Sequence, residues 1–565
     1  MLPWERLRDK ILTLEGKPLQ AARALEGEYR FERFVLALDR VTAEPPGAPS
    51  AMRVRVDMAE ARFPPGLWST RPGRIALEDF LARRWLDAAR RVARARGVRP
   101  AFAISVGEQE ILERTACRLA EDYVEVRGTV VLPTEGRRLA SKALQALFVD
   151  DLPQVVEGSL LYPNLNPSAV QRHCEAVEDY EAMRTELSVH NLVAFLADGA
   201  VLPRDPATDR PLLSRLVPLE APRELRVTLT PPHRGPVTGL GIPRGVTVVL
   251  GHPLSGRSTF LRAVAAAVYP HLPGDGREYC VTVPDAVLVR ADPGRRVEGV
   301  DVSAFVERLP GGQDPRRLRT ESASDALAMA ASVMEALEAG CSLLLVDEDT
   351  AAAALMGRDA LWAEIAPEAA RPVVSLAEVL RPLYEEHGVS SIVVTTRGAE
   401  YVPVADTVIA LDEFRPRVVT AQAKQAAPAA RPPRARFGGV HHRIPLPDSL
   451  APLRGRRPRV ESADGLRLPR RAIPLGPHTV DLSAVEQLVD PAQARAIAAA
   501  LVFAADRGLA DGARTIREIL GLIEMEIARA GLEVLVPDGP AGDLALPRRH
   551  ELAAALNRLR TLRVK

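Results

Sequence analysis

The pattern of apolar residues changes along the chain, and the first change falls near Pro222. Up to that point, short β-branched runs alternate with amphipathic stretches. Arg53–Val56 and Thr129–Leu132 are predicted to be strands, and Leu77–Arg96 is predicted to be a helix with one broad apolar face. Residues 1–222 are therefore expected to form an α+β domain.

Residues 223–420 have the pattern of a parallel sheet that is covered on both faces. The predicted strands are short and continuously apolar, and each is followed by a glycine-rich or acidic turn and then by a helix. The three clearest strands are Thr247–Leu250, Ser342–Val346 and Ser391–Val394. Ligand sites of such folds lie at the carboxyl ends of the strands, so the residues after these strands are where chemistry is expected.

The last part of the chain is first proline-rich and then helical. Prolines recur through the segment 421–480 and break any long helix there. Residues 481–565 have helical periodicity and are expected to form a mainly helical C-terminal domain. The helices predicted in it are Pro491–Asp506, capped by Asp490, then Thr515–Ala530, and one from about His550. The predicted fold class of the whole chain is α/β.

Composition narrows the class of protein. The 565 residues include 74 basic and 73 acidic side chains and are 47% hydrophobic, which indicates a soluble globular protein of about two to four domains. Because the charges nearly cancel, a nucleic-acid site must be a local patch. The amino terminus is charged and no uncharged apolar run is long enough to span a membrane, so we expect a cytoplasmic protein without a membrane partner.

The cysteines do not form a recognisable metal or disulfide motif. The four of them are far apart in the sequence, and no Cys-x-x-Cys pair occurs. They are Cys117, Cys174, Cys280 and Cys341. Neither a zinc ribbon nor a disulfide framework is predicted, and a reducing compartment is expected.

Arginines are concentrated in two places, and each place has two interpretations. The predicted helix at 77–96 has a polar face that is either solvated or in contact with a polyanion. The arginines on this face are Arg83, Arg84, Arg90, Arg91 and Arg94. Between Lys424 and Arg471 there are 12 basic residues against 3 acidic ones. This segment either neutralises phosphates of RNA or DNA, or is a solvated connector whose arginines pair with acidic residues elsewhere. Its most closely spaced arginines are Arg454, Arg456, Arg457 and Arg459.

A glycine loop follows the first buried strand. Residues Gly251–Thr259 join the strand Thr247–Leu250 to a helix predicted at Arg257–Val268. This is the context of a phosphate-binding loop, in which backbone N–H groups and a helix N-terminus face an anion. In this interpretation Ser258 donates its hydroxyl oxygen to Mg²⁺, while Arg257, which stands where lysine is expected, contacts the terminal phosphates.

Three carboxylates follow the second buried strand. The strand Ser342–Val346 leads directly into Asp347, Glu348 and Asp349. Asp347 is placed to hold Mg²⁺, and Glu348 is placed to polarise an attacking water. The loop and the acids together predict a site for phosphoryl transfer.

Further segments along nearly the whole chain match one known family. They are Val237–Pro243, Pro273–Tyr279, Val297–Val302, Leu309–Gly312, Met334–Gly340, Leu343–Thr350, Ala405–Ile409 and Val485–Pro491, with others at Glu78–Arg84 and Glu157–Tyr162. This set resembles the family of ATPases of the ABC class. The resemblance implies a stand-alone, soluble protein with an ABC-type P-loop nucleotide-binding core at 223–420 and no transporter helices.

The resemblance also implies ligands and site residues. The cofactors are ATP and Mg²⁺, and the Walker B acids are Asp347 and Glu348. The phosphate-loop residues implied to bind nucleotide are Gly251, Ser255, Gly256, Arg257, Ser258 and Thr259. The signature segment falls on Ser322–Met329. In ABC-type dimers the signature serine, here Ser324, approaches the γ-phosphate held by the other protomer, so a homodimer in the ATP-bound state is implied.

Three places depart from the family pattern. Arg257 replaces lysine; it keeps the charge, but its planar fork is bulkier than an ammonium group. Asp325 and Ala326 stand where the signature has glycine and a small hydroxyl residue. A carboxylate near a γ-phosphate adds repulsion unless it turns outward or holds Mg²⁺. Thr395–Arg397 occupy a segment that is glycine-rich in the family.

An aromatic partner for the nucleotide base is missing before the phosphate loop. ABC-type sites often stack adenine on such a residue, yet no Phe, Tyr or Trp lies between Phe195 and Phe260. His233 or Arg234 could supply a flat face instead. The sequence therefore does not establish selectivity for adenine.

Two functions fit these features. The first is an ABC-class ATPase in which Glu348 and Arg257 serve hydrolysis and hydrolysis drives domain motion, with RNA binding through residues 424–471 as an addition. The second is a regulatory or RNA-binding protein that binds nucleotide with little turnover because of Arg257 and Asp325. The intact acid pair Asp347 and Glu348 favours the ATPase.

Overall fold

The computed structural model divides the protein into two compact units. The first comprises Met1–Glu178 with Val536–Leu546, and the second comprises Asp179–Leu535 with Pro547–Lys565. The residues described are 1–42, 45–206, 208–214, 216–357, 365, 373–427, 434, 436–456, 472–475, 478–537 and 539–565.

The first unit is built on a seven-stranded sheet with the order β1-β2-β3-β4-β7-β5, on which β6 also pairs with β7. Its strands are β1 Leu2–Pro3, β2 Gly27–Arg30, β3 Val35–Arg40, β4 Pro49–Asp57, β5 Phe102–Ala103, β6 Cys117–Leu119, β7 Tyr123–Val131, β8 Thr134–Glu135 and β9 Arg138–Leu139. Its helices are α1 Trp4–Leu12, α2 Met58–Ala61, α3 Arg71–Ala95, α4 Ser141–Gln145 and α5 Leu152–Glu157, and α6 Pro167–Val189 continues into the second unit. The predicted strands in β4 and β7 and the predicted helix in α3 are confirmed.

The predicted arginines of helix α3 lie in different surroundings. The helix begins after Thr70, whose hydroxyl accepts a hydrogen bond from the backbone N–H of Gly73 at 3.0 Å. Arg83 donates to the buried carboxylate of Asp79 at 2.7 Å, and His173 lies 3.1 Å from the same carboxylate. Arg83 is therefore part of an internal network, which neither the solvated-face nor the polyanion interpretation foresaw. By contrast, three of the predicted arginines are exposed, namely Arg90, Arg91 and Arg94.

The second unit contains a six-stranded sheet with the order β15-β18-β19-β13-β20-β21. Neighbouring strands are parallel except for the antiparallel pair β20 and β21. The strands of this unit are β10 Leu192–Ala197, β11 Arg226–Leu229, β12 Val237–Pro243, β13 Val246–Gly251, β14 Cys280–Thr282, β15 Ala286–Val289, β16 Val297–Val300, β17 Leu318–Thr320, β18 Leu343–Asp347, β19 Ser390–Thr395, β20 Thr407–Asp412, β21 Arg415–Val418, β22 Ala472–Leu475 and β23 His478–Asp481. The three predicted buried strands are confirmed as β13, β18 and β19, which lie side by side.

Helices cover this sheet and continue to the C-terminus. They are α7 Arg257–Ala266, α8 Asp325–Ala339, α9 Ala353–Met356, α10 Leu376–His387, α11 Gly398–Tyr401, α12 Thr420–Ala426, α13 Pro491–Asp506, α14 Ile516–Ala530 and α15 Arg549–Asn557. Asp490 caps α13, as the sequence predicts, and Thr515 caps α14; each cap is a reciprocal side-chain pair. The predicted C-terminal helices are therefore confirmed.

Strand β10 lies in the second unit although it precedes Pro222. It pairs with β12 and β14 in an antiparallel sheet, and all six of its residues are buried. The boundary between the compact units lies after Glu178, whereas the sequence analysis drew it after Pro222. The two boundaries differ because an apolar run predicts that a strand is buried but does not reveal the strand with which it pairs.

Four described arginines of the basic segment donate hydrogen bonds within the protein, namely Arg434, Arg443, Arg454 and Arg456. Arg443 is buried and pairs with Glu338 of α8 at 2.5 Å, and it donates to Asn557 of α15 at 2.6 Å. Arg434 donates to Glu307 at 3.1 Å. These contacts fit the connector interpretation and weaken the case for RNA binding through 424–471. Several members of the segment lie outside the described residues, among them Arg457 and Arg459.

Two further predictions concern the cysteines and membrane-spanning helices. The four cysteines are buried and free. In the described part of the chain, no helix is long and apolar enough to cross a membrane.

Candidate nucleotide-binding site

The loop between β13 and α7 has the backbone of an anion-binding nest. Strand β13 ends at Gly251 and α7 begins at Arg257. Leu254 has φ 67° and Gly256 has φ 94°, so two left-handed residues alternate with ordinary ones. Such alternation turns successive backbone N–H groups toward one point, where the amino end of a helix adds positive potential. Leucine tolerates this conformation poorly, at roughly 1–2 kcal/mol, so Leu254 indicates that the loop shape is needed.

Both ends of this loop require glycine. A Cβ atom at Gly251 would overlap the Ser255 hydroxyl and would lie 2.9 Å from the carbonyl oxygen of Leu411 in β20. A Cβ atom at Gly256 would lie 2.6 Å from the ring of Phe414. The glycines that the sequence analysis assigned to the loop are thus required by close approach as well as by backbone angle.

Two polar atoms inside the loop lack partners. Within the described residues, Ser255 Oγ and Arg257 Nη1 are buried and have no hydrogen-bond partner. A buried donor left unpaired destabilises a protein by roughly 1–3 kcal/mol, and more when it carries charge. Both are donors, and both lie where backbone N–H groups converge, so an anion would satisfy them. The residues present therefore fit a phosphate group.

The two predicted Mg²⁺ ligands, Ser258 and Asp347, each lie next to Asp349. The Ser258 hydroxyl lies 3.5 Å from Asp349 Oδ2, and the Asp349 backbone N–H donates to Asp347 Oδ1 at 3.1 Å. Hydroxyl and carboxylate oxygens are the donors that Mg²⁺ prefers. The donor set fits Mg²⁺, and it includes Asp349, which the sequence analysis quoted in the acid run without giving it a role.

Glu348 is held by the segment that follows β19. Its carboxylate accepts hydrogen bonds from the Thr396 backbone N–H at 2.6 Å, from the Thr395 hydroxyl at 3.0 Å and from Arg397 Nε at 2.9 Å. Partial burial alone would raise the pKa of Glu348, but these hydrogen bonds outweigh it and the pKa lies below its ordinary value. A carboxylate so stabilised is a weaker base than a free one.

The signature residues lie at the amino end of α8. Ser324 is the residue before the helix, and both Ser324 and Asp325 are exposed. Asp325 therefore turns outward, one of the two alternatives drawn from sequence. No hydrogen bond among the described residues joins Ser324 to the phosphate loop. Thr259, the last residue of the predicted loop, is half-buried in the first turn of α7.

Phe414 is a site residue that the sequence analysis missed. It lies with Glu413 at the two-residue turn between β20 and β21, and its ring contacts Gly256 of the phosphate loop. Both turn residues have positive φ, 47° for Glu413 and 68° for Phe414. Turns of this kind favour Asn-Gly. The signal in the sequence was an aromatic residue in a turn that glycine would suit better.

The two residues proposed from sequence as flat faces for the base have other contacts. The Arg234 guanidinium lies over the Tyr279 ring, 5.7 Å from its centroid. The backbone N–H groups of His233 and Arg234 both donate to Asp179, at 2.8 Å and 2.9 Å.

The strand, the nest, the unpaired donors and the adjoining acids define a P-loop nucleotide-binding protein.

Family models extend this class to most of the chain. The ABC_ATPase model, described as the P-loop domain, matches residues 166–440. The model of the N-terminal part of ATPases of the ABC class matches residues 4–163, and the model of the MRB1590 C-terminal domain matches residues 468–565. The first two models describe one family, and the chain belongs to this family of ABC-class ATPases.

A curated relative and two solved structures are also similar. The uncharacterized protein MJ1628 of Methanocaldococcus jannaschii is 30% identical over 206 residues, which are 35% of this chain and 44% of that protein. The chain thus spans less than half of this relative's length. The structure of cbiO1 from Clostridium perfringens, part of the ABC transporter complex cbiONQ, is 16% identical over 42% of this chain and 92% of that one, with a TM-score of 0.24. A bacterial Atm1-family ABC exporter with ATP bound is 14% identical over 42% of this chain and 43% of that one, with a TM-score of 0.24.

Proposed function

We propose that the protein binds ATP with Mg²⁺ in the loop Gly251–Thr259 and hydrolyses it. The observation that carries this proposal is the pair of buried, unpaired donors, Ser255 Oγ and Arg257 Nη1, inside a loop that ends next to an acid run. Buried donors without a partner are uncommon in folded proteins, and two of them in one anion-binding loop favour a phosphate as the missing partner. Membership of the ABC-class ATPase family supports ATP as that ligand.

The residues of the loop divide the work of binding. Arg257 and the backbone N–H groups around Gly256 neutralise and orient the terminal phosphates, and Ser255 donates one further hydrogen bond. Ser258 and Asp347 would hold Mg²⁺, and Asp349 extends this set. Bound Mg²⁺ supplies charge neutralisation for in-line phosphoryl transfer.

Glu348 orients and polarises the attacking water in this proposal. It is held by Thr395, Thr396 and Arg397. Thr395 and Thr396 donate to Oε2 and Arg397 donates to Oε1, so a water that transfers its proton to Glu348 competes with these donors. The rate of the hydrolytic step therefore depends on how firmly residues 395–397 hold Glu348.

The arrangement also supports a homodimer in the ATP-bound state. Ser324 is exposed at the amino end of α8, so a second protomer can approach it with its own phosphate loop. Helix α8 packs against α15, and the two share the buried Arg443. Closure of such a dimer would couple hydrolysis to motion of the C-terminal helices.

A second function is favoured by one observation, the hydrogen bonds from Thr395, Thr396 and Arg397 that hold the Glu348 carboxylate. If residues 395–397 stay bound to Glu348 when ATP is present, the protein binds nucleotide with little turnover and acts as a regulator. The two functions share the binding site and differ in the rate of phosphate release.

Two measurements test the proposal. Labelled ATP is titrated with and without Mg²⁺, and phosphate release is compared between the wild type, Glu348→Gln and the matched control Glu385→Gln, an exposed glutamate of α10. We expect binding that Mg²⁺ strengthens, and a loss of release on the order of 100-fold or more in Glu348→Gln alone. Equal rates at background level in all three proteins would favour the regulator. Absence of ATP binding would exclude both functions.

A further inference from the structure

Neither core packing nor backbone geometry explains why phenylalanine occupies position 414. Its side chain is 52% exposed, so it contributes little to any core. Its φ of 68° is one that phenylalanine rarely adopts. A residue that is exposed and also strained gains nothing for folding, and such residues concentrate at ligand sites. Glycine at this turn would remove the strain and leave the hairpin unchanged.

The position of Phe414 relative to the phosphate loop is specific. Strands β13 and β20 are parallel neighbours, so their carboxyl ends lie at the same edge of the sheet. The β20–β21 turn therefore projects beside the phosphate loop, and the Phe414 ring lies over Gly256, the residue before α7. An exposed aromatic face thus adjoins the place where the phosphates of a nucleotide would be held.

Two ion pairs hold the hairpin that carries Phe414. Arg415 of β21 pairs with Glu220 at 3.2 Å, and Arg417 of β21 pairs with Asp412 of β20 at 3.2 Å. These pairs are exposed and individually weak, but both lie close to the turn. The ring is thus presented by a short two-residue turn and not by a long loop.

From this arrangement we propose that Phe414 stacks on the base of the bound nucleotide. The proposal rests on the nucleotide site described above and extends it to the base. Stacking uses the π face that every base possesses, so Phe414 would strengthen binding without selecting adenine. This accounts for a phosphate loop that no Phe, Tyr or Trp precedes between residues 196 and 259.

The test compares two ligands and three variants of Phe414. ATP contains a base, whereas tripolyphosphate contains only the phosphates, and the Kd of each is measured for the full-length protein in the presence of Mg²⁺. Phe414→Gly removes the ring and suits the positive φ, so it is expected to fold at least as well as the wild type. Phe414→Trp keeps a stacking face, and Glu413→Ala is the control at the neighbouring turn position.

We expect Phe414→Gly to weaken ATP binding by about 5- to 100-fold and to leave tripolyphosphate binding unchanged. Phe414→Trp and Glu413→Ala should bind ATP within about 3-fold of the wild type. GTP should lose affinity in Phe414→Gly to the same extent as ATP, because stacking does not read the base edge.

Other results overturn the inference. If Phe414→Gly binds ATP as well as or better than the wild type, the ring does not stack on the base and is at most a plug over the loop. If both ATP and tripolyphosphate weaken equally, Phe414 acts through the shape of the loop. If the wild type binds neither ligand, the nucleotide site itself is refuted, which is a different failure.

Discussion

Arg397 and Glu348 form an ion pair across the carboxyl ends of β18 and β19, with Arg397 Nε 2.9 Å from Glu348 Oε1. The pair joins the residue assigned to water activation to a segment that departs from the family pattern. These hydrogen bonds lower the pKa of Glu348, and both of its carboxylate oxygens accept at least one of them. In the proposed function, the strength of this pair affects how quickly bound ATP is hydrolysed.

Loss of the Arg397 guanidinium should release Glu348. In Arg397→Met the carboxylate loses one charged donor, so its pKa rises toward the ordinary value and Oε1 becomes free for water. We expect phosphate release at neutral pH to increase by roughly 10-fold, the effect of one charge-assisted hydrogen bond. Release is measured at saturating ATP over a range of pH.

The pH profile gives an independent check of this prediction. Glu348 must be ionised to accept a proton, so the rate rises with pH through its pKa. Because that pKa is lowered in the wild type, the acid limb of the profile lies below the ordinary range of glutamate, and Arg397→Met should move it to higher pH. Arg397→Lys keeps the charge and should give an intermediate profile. An unchanged limb in Arg397→Met would contradict the assigned role.

Ser255→Ala should weaken ATP binding without lowering the stability of the fold. The Ser255 hydroxyl is buried and unpaired without ligand, so its removal is expected to leave the free energy of unfolding unchanged or raise it by up to about 1 kcal/mol. ATP affinity should fall by about 10-fold, because one hydrogen bond to a charged phosphate is lost. Ser391 in β19 is a matched control, since its hydroxyl is also buried without a partner.

Ser391→Ala should have the same small effect on unfolding and none on ATP affinity. Unfolding is followed in urea and binding by titration calorimetry. A fall in ATP affinity in both variants would mean that the affinity reports general packing and not a contact with phosphate.

Gly256→Ala should destabilise the phosphate loop and abolish its binding of ATP. The substitution adds a side chain at φ 94° and brings Cβ to 2.6 Å from Phe414. Strain alone is worth roughly 1–2 kcal/mol. Gly388→Ala is the control, because it has φ 68° with no atom within 4 Å of the added Cβ. Urea unfolding should show a larger loss for Gly256→Ala, and only this variant should lose ATP binding. Equal losses would show that the contact with Phe414 is easily relieved.

Breaking the buried pair of Arg443 and Glu338 should destabilise the second unit strongly. Arg443 is 2% exposed and also donates to the carbonyl oxygen of Glu298 at 2.8 Å. In Arg443→Met the Glu338 carboxylate is left buried without its partner, and we expect a loss of about 3–5 kcal/mol in the free energy of unfolding. Arg529→Ala removes an exposed pair with Glu526 at 2.7 Å, and should change the free energy of unfolding far less than Arg443→Met does. A similar, small loss in both variants would contradict the structural role of Arg443.

The sequence predicts those features that depend on neighbouring residues. Strand β13, the glycine loop and α7 follow one another within the chain, and the cap Asp490 acts on the turn that comes directly after it. Local pattern is enough for such elements. The parallel sheet follows from the same logic, because continuously apolar strands must be covered on both faces.

The sequence does not predict contacts between residues that are far apart along the chain. Glu348 meets residues 395–397 only because β18 and β19 pair, and Phe414 meets Gly256 only because β20 lies beside β13. The pairing of β10 was missed for the same reason. Strand order is decided by the tertiary fold, and the chemistry of this site depends on that order.

Helix α8 connects an exposed serine at its amino end to a buried ion pair near its carboxyl end. Ser324 lies in solvent before the first turn, and Glu338 in the last turn accepts hydrogen bonds from Arg443, which also donates to Asn557 of α15. A helix of 15 residues is about 22 Å long and bends little over that length. In the proposed dimer, a tilt of α8 at Ser324 would therefore move α15 as well, and α8 would act as the lever between the two.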